Sequence, residues 1–299
     1  MHLLWRETVR VSVAPSVGFC KGVKRAFALA EKAIQENPGS TYLLGELIHN
    51  HEAMNMLLSQ GAQVVEDPRE IPQGATVVTR SHGIKKDLWE ELRARGLQIV
   101  DTTCPRVKKL QILSQGLERE GYGIFLLGKR EHPEIQALLS YLSGKAWVLS
   151  GAEEWSAAPF FNLSAPCAVL AQTTFSSRAF MQFVEWVGKK RLSRVHIFRT
   201  LCGETEARQK ELERAVEEGT QDLVVVVGGK HSANTRSLFE IAQRTVPTLW
   251  VENVEELKSL SLSTFEHAFV TSGTSTPDVV VFEVSAYLES LEGGRGDER

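Results

Sequence analysis

Residues 11–34 read VSVAPSVGFCKGVKRAFALAEKAI: a short apolar run, a loop ending in Cys20, then apolar residues at helical spacing. The same order returns in LQIVDTTCPRVKKLQILSQGL (97–117) around Cys104, and in VHIFRTLCGETEARQKELERAV (195–216) around Cys202. From each cysteine, 24 to 26 residues lead to a glycine closing a second apolar run: Gly45, Gly128 and Gly228. At 28 to 30 residues stands a polar residue ahead of another helix: His49, His132 and Ser232. A third strand-to-helix junction follows, carrying Arg80, Ser81 and His82, then Gln172, Thr173 and Thr174, then Ser272, Thr274 and Ser275. Three such series in register predict three copies of one α/β unit about a shared centre.

Apolar runs of four to eight residues alternating with helical periodicity indicate βαβ units with parallel sheets. The first repeat, 22–104, offers TYLLGE, ATVVTR and LQIVD as strands, with helices over 23–35, 51–60 and 86–95. The second, 105–199, offers GIFLLG, AWVLSG and PCAVLAQ, with helices after Pro105, Pro133 and Ser176. The third, bounded at 200–292, takes RVHIFRT (194–200) from just ahead of that boundary, with DLVVVVG, TLWVEN and HAFVTSG, and helices from Thr205, Asn234 and Val279. The strand within 1–21 has no sheet of its own nearby and is expected to complete the third repeat. Residues 293–299, GGRGDER, read as a polar tail.

With 299 residues and 42% hydrophobic content the chain can fill real cores. A formal charge of −3 without a basic tract argues against nucleic acid as a partner. The N-terminus carries charges within ten residues and reads as neither signal peptide nor anchor, and no run approaches 18 apolar residues. A cytoplasmic setting follows, where thiols stay reduced, so metal binding or catalysis is the stronger reading of the cysteines.

No CxxC pair announces zinc. Three thiolates from distant but equivalent strand ends suit an iron–sulfur cluster instead, each near a helix N-terminus that favours the anion. Three protein ligands to a cubane leave one iron open to a substrate oxygen. Cys167 begins its strand six residues before Thr173, roughly 20 Å away at about 3.3 Å per residue, and reads as a core residue. His49, His82 and His132, with Thr173, Thr174, Ser232, Asn234 and Ser275, describe a pocket of neutral donors suited to a diphosphate, since no P-loop is present. Glu134, in the first turn after His132, is the candidate proton donor.

These residues fall in GFCKGVKRA (18–26), GELIHN (45–50), SHGI (81–84), DTTCPRVKK (101–109), HPE (132–134), QTTFS (172–176), the Cys202 helix through Arg208 and Gln209, HSAN (231–234) and TSGTSTP (271–277). Together they resemble the 4-hydroxy-3-methylbut-2-enyl diphosphate reductase family, also called LytB or IspH, over nearly the whole chain. The resemblance implies a three-lobed α/β fold around a [4Fe-4S] cluster held by Cys20, Cys104 and Cys202. It implies that His49, His82, His132, Ser232, Asn234 and Ser275 bind the diphosphate. Thr173 and Glu134 would act near the substrate hydroxyl, with Glu134 delivering protons. It further implies isopentenyl and dimethylallyl diphosphates as products of the non-mevalonate route, and ferredoxin or flavodoxin as electron donor.

The chain departs from the family pattern where Ala233 replaces a second serine, where Lys129 follows Gly128, where IQALLSY follows HPE, and where GETEARQ follows Cys202. Two other readings stay open: a paralogous iron–sulfur reductase for another phosphorylated substrate, or a non-catalytic electron-transfer or sensor protein.

Overall fold

The computed structural model describes residues 9–161, 164–260 and 265–291. Three four-stranded parallel sheets are present among them. The first joins β2 (Thr41–Leu44), β3 (Gln63–Val65), β4 (Thr76–Val78) and β5 (Gln98–Val100) in the order β3-β2-β4-β5. The second joins β6 (Gly123–Leu127), β7 (Ala146–Leu149), β8 (Cys167–Ala171) and β9 (Val195–Phe198) in the order β7-β6-β8-β9. The third joins β1 (Arg10–Val13), β10 (Leu223–Val227), β11 (Thr248–Val251) and β12 (His267–Ser272), ordered β11-β10-β12-β1. All three share one strand order, and in each the fourth strand leads directly to a cysteine.

The helices are α1 (Lys21–Glu36), α2 (His51–Ser59), α3 (Lys86–Ala94), α4 (Pro105–Arg119), α5 (Pro133–Ser140), α6 (Ala152–Ala157), α7 (Ser177–Lys190), α8 (Gly203–Glu218), α9 (Ala233–Ala242), α10 (Val254–Lys258) and α11 (Asp278–Glu289). Their packing follows from the period of the strands. In β10, LVVVV places Val225 and Val227 against Val280, Val281, Val284 and Leu288 of α11. Its alternate residues Val224 and Val226 meet Leu212 of α8 and Leu238 and Ala242 of α9. A strand covered on both faces must be apolar throughout, hence the unbroken valine run. In β6, Phe125 and Leu127 face α7 through Phe180 and Phe183, while Ile124 and Leu126 face Leu110 of α4 and Ile135 of α5. Each fully buried side chain of this kind contributes about 1.5–3 kcal/mol.

By contact density the chain forms two compact units. A two-sheet unit comprises Arg25–Leu47 and Leu58–Cys202, and a one-sheet unit comprises Met1–Lys24, Ile48–Leu57 and Gly203–Arg299. The first eight residues and the tail at 293–299 lie outside the described residues.

Two readings need correction. RVHIFRT was assigned to the third repeat, but β9 pairs with β8 and belongs to the second sheet. Ladder bonds to β8 decide this, since Cys167 to Leu170 register against Val195 to Phe198. The short strand β3 was not anticipated. Two of its three residues are exposed, so it carries little apolar signal. No helix among the described residues is long and apolar enough to cross a membrane.

Candidate functional site

A repeated backbone bond fixes each of the three cysteines. Within the two-sheet unit, Cys104 N–H donates to the Ser81 carbonyl at 2.8 Å and Cys202 N–H to the Thr173 carbonyl at 2.8 Å. Within the one-sheet unit, Cys20 N–H donates to the Thr274 carbonyl at 3.0 Å. Every acceptor lies in the third strand-to-helix junction of its sheet, so strand end and cysteine are clamped in the same way three times. The cysteines immediately precede α1, α4 and α8. The Cys20 and Cys104 carbonyls accept the first helical bonds, from Lys24 and Lys108. Pro105 occupies the first turn of α4, where a missing N–H costs nothing.

None of the four cysteines forms a disulfide, and Cys20, Cys104 and Cys202 are all partly exposed. Cys167 is fully buried within β8, and burial pushes its thiol above the ordinary range, which makes it unreactive. Among the described residues no three His, Cys, Asp or Glu side chains are grouped closely enough to hold a single metal ion.

The two-sheet unit also joins Glu134 to Thr173. Glu134 is 2% exposed, in the first turn of α5, and its Oε1 accepts Thr173 N–H at 2.7 Å. Its Oε2 accepts the Thr173 hydroxyl at 2.6 Å. Burial pushes the Glu134 carboxyl above the usual range, while both Thr173 bonds pull the other way. Thr173 is therefore shared: its carbonyl holds Cys202 and its donors hold Glu134. Gln172 beside it accepts Lys129 N–H at 3.3 Å and donates to the Thr174 hydroxyl at 2.8 Å, fixing the loop that carries both threonines.

His132 caps α5, its Nδ1 accepting the Glu134 N–H at 3.1 Å. That bond assigns the proton of a neutral ring to Nε2, which is then a donor. The His82 and His132 rings meet edge to face at 6.4 Å between centroids. His82 is buried in the loop between β4 and α3.

The one-sheet unit brings His49, Ser232, Asn234 and Ser275 to the strand ends of its sheet. A Cβ at Gly229 would lie 2.4 Å from the His49 carbonyl, so only glycine permits that approach. Ser232 caps α9 by accepting Thr235 N–H at 3.3 Å. A Cβ at Gly273 would lie 2.1 Å from the Thr235 hydroxyl, so the β12 loop and the first turn of α9 meet closely there. Asn234 is 2% exposed, yet neither its Oδ1 nor its Nδ2 has a partner, and the buried Ser275 hydroxyl has none. Leaving such groups unsatisfied costs about 1–3 kcal/mol each. Buried polar atoms of this kind, at strand ends and a helix N-terminus, suit an anionic ligand with several acceptor oxygens.

The sequence places Arg208 in one of the motifs of the resemblance but assigns it no role in this region. On α8 it is 2% exposed and donates to the carbonyls of Gly18 at 2.6 Å, Ser272 at 2.8 Å and Gly273 at 2.8 Å. The segment GETEARQKELER looks like a solvated charged face, and no local signal marks one of its arginines as buried.

Known proteins share this architecture. The chain matches the family described as LytB protein over residues 11–289. A 4-hydroxy-3-methylbut-2-enyl diphosphate reductase of Clostridioides difficile is 32% identical, across 95% of this chain and 100% of that protein. A protein of the same name from Aquifex aeolicus is 34% identical, across 96% and 98%. A solved (E)-4-hydroxy-3-methyl-but-2-enyl diphosphate reductase, the terminal enzyme of the non-mevalonate pathway, aligns with a TM-score of 0.68 at 34% identity over 95% of this chain and all of that one. The Plasmodium falciparum E-1-hydroxy-2-methyl-but-2-enyl-4-diphosphate reductase shares the fold, with a TM-score of 0.86 at 24% identity over 98% of this chain and 94% of that one. With residues 11–289 matched, and relatives at 32–34% identity spanning nearly its whole length, this chain belongs to the LytB family.

Proposed function

We propose that this chain reductively removes the hydroxyl of 4-hydroxy-3-methylbut-2-enyl diphosphate, giving isopentenyl and dimethylallyl diphosphates and water. The observation that carries the reading is Thr173, whose one backbone position serves both Cys202 and the buried acid Glu134. The relatives' shared name supplies the substrate.

The donor set fits an iron–sulfur cluster: three partly exposed cysteines outside any disulfide, each clamped alike at the start of a helix. Cys20, Cys104 and Cys202 would hold a [4Fe-4S] cluster with three protein ligands and one open iron. When bound, such a cluster supplies electrons singly and a Lewis-acidic iron for the substrate oxygen.

Glu134 holds the proton. Its burial favours the neutral acid, so it can protonate the departing hydroxyl, and Thr173 keeps the carboxyl in place while it does so. Overall the C–O bond breaks, two electrons and two protons are consumed, one proton leaving in water and the other ending on an allylic carbon. His49, His82 and His132 donate to the diphosphate together with Ser232, Asn234 and Ser275, and the unpartnered Asn234 and Ser275 atoms support that assignment. A ferredoxin- or flavodoxin-type protein would supply the electrons, and the cytoplasm is the setting in which such a reaction runs.

Anaerobic reconstitution with iron and sulfide, chemical reduction and product analysis with the diphosphate substrate test the reading. Both isomeric diphosphates are expected. A loaded, reducible protein that leaves the substrate intact would overturn it.

A further inference from the structure

The buried cation Arg208 has no counter-ion in contact. Its hydrogen bonds go to the carbonyls of Gly18, Ser272 and Gly273 and, at 3.3 Å, to the Ser272 hydroxyl. Its Nε has no partner at all. No ion pair involves it among the described residues, and the acidic groups whose charge would act on it are Cys20, Glu204, Glu211 and Asp278. Glu211 is engaged elsewhere, accepting from the Ser16 N–H and hydroxyl, and Asp278 pairs with Lys24 at 3.5 Å. An unpaired charge is expensive to bury, so its retention calls for a return.

The three carbonyls show where that return arises. Gly18 lies two residues before Cys20, while Ser272 and Gly273 lie just before Thr274, whose carbonyl holds Cys20, and Ser275. Gly18 N–H donates in addition to the Ser272 hydroxyl at 3.0 Å, so the two loops are laced together beneath the guanidinium. A planar fork reaches several acceptors in fixed directions, which a lysine ammonium cannot reproduce.

We propose that Arg208 is a positioning residue with two separable roles: it locks the Cys20 loop to the Ser275 loop, and its buried charge stabilises added negative charge at the Cys20 side of the centre. The second role rests on the iron–sulfur reading above. Removing the cation makes an electron harder to add, because the reduced state is the more negative one.

The test compares cluster-loaded wild type with Arg208→Gln, Arg208→Lys and Ser272→Ala by redox titration and steady-state kinetics. Arg208→Gln is expected to shift the midpoint potential to more negative values and to raise KM about tenfold, the scale of one lost charge-assisted contact. Arg208→Lys should restore the potential while KM stays raised. Ser272→Ala, which loosens the lacing without touching the charge, should raise KM alone. If loaded Arg208→Gln keeps wild-type potential and KM and differs only in melting temperature, Arg208 is a structural residue and the proposal fails. Should Arg208→Gln not fold, unchanged KM in both Arg208→Lys and Ser272→Ala overturns the positioning role. A wild type that takes up no cluster defeats the functional reading itself, whereas variants indistinguishable from a loaded wild type defeat only this inference.

Discussion

The carboxyl of Glu134 and the amide of Asn234 are equally buried, both in the first turn of a helix that follows a strand, yet they are treated in opposite ways. Glu134 has both oxygens satisfied by Thr173, whereas neither polar atom of Asn234 has a partner. On the proposed function, the difference separates two kinds of work. A group that must hold a proton is preorganised by its own fold, because its bonds have to exist before the reaction starts. A group that must hold a ligand bears its desolvation cost in advance, and recovers it only when acceptor oxygens arrive.

Breaking the clamped cysteines lies outside this contrast and should have the largest effect. Any one of Cys20→Ala, Cys104→Ala or Cys202→Ala is expected to abolish the cluster's absorbance and all turnover, with Cys167→Ala unchanged; loss of the cluster in Cys167→Ala would restore the sensor reading. Next comes Glu134→Gln, which can keep both Thr173 contacts by accepting from its N–H and donating to its hydroxyl. Its kcat should fall by about 10²–10⁴, the usual worth of a positioned general acid, with iron content unchanged. Undiminished turnover removes Glu134 from proton delivery.

The contrast itself is sharpened by a pair of deletions. Asn234→Leu keeps the shape and removes the unpartnered atoms, so KM should rise about 10–100-fold while stability of the substrate-free protein is unchanged or improved. Thr173→Val should do the reverse to stability, costing about 1–3 kcal/mol by leaving a Glu134 oxygen unsatisfied. Denaturant unfolding of both variants decides, and equal losses would erase the distinction.

The smallest effect is a slope. Because the folded Glu134 carboxyl lies above its ordinary value of 4.5, its contribution to stability is fully present below that pH and is lost as pH rises through the folded value. Wild type should therefore lose stability relative to Glu134→Gln as pH increases across that window. A difference that grows in favour of wild type instead would mean the Thr173 bonds outweigh burial.

The repeated fold was readable because strand, cysteine and helix recur at nearly constant spacing, and burial on both faces of β6 and β10 writes itself as apolar runs. The position of β9 was not, because a strand just ahead of a cysteine serves equally as the end of one repeat or the start of the next. Only the ladder to β8 distinguishes them. Glu134 was legible as a carboxylate at a helix start, but its link to Thr173 spans 39 residues and depends on how two strand-end loops meet. The burial of Arg208 was illegible for a stronger reason. What buries it is three carbonyls, and carbonyls belong to every residue alike.

The strand that opens the described chain finds its place only beside β12, with Arg10 opposite His267, 257 positions away in the chain. During synthesis the ladder of β1 cannot close until β12 has been made. Cys20 waits with it, since the carbonyl that anchors it belongs to Thr274. The carbonyls that hold Cys104 and Cys202 precede them in the chain, whereas the one that holds Cys20 lies far downstream. A chain truncated before β12 would therefore lack the frame of Cys20 entirely.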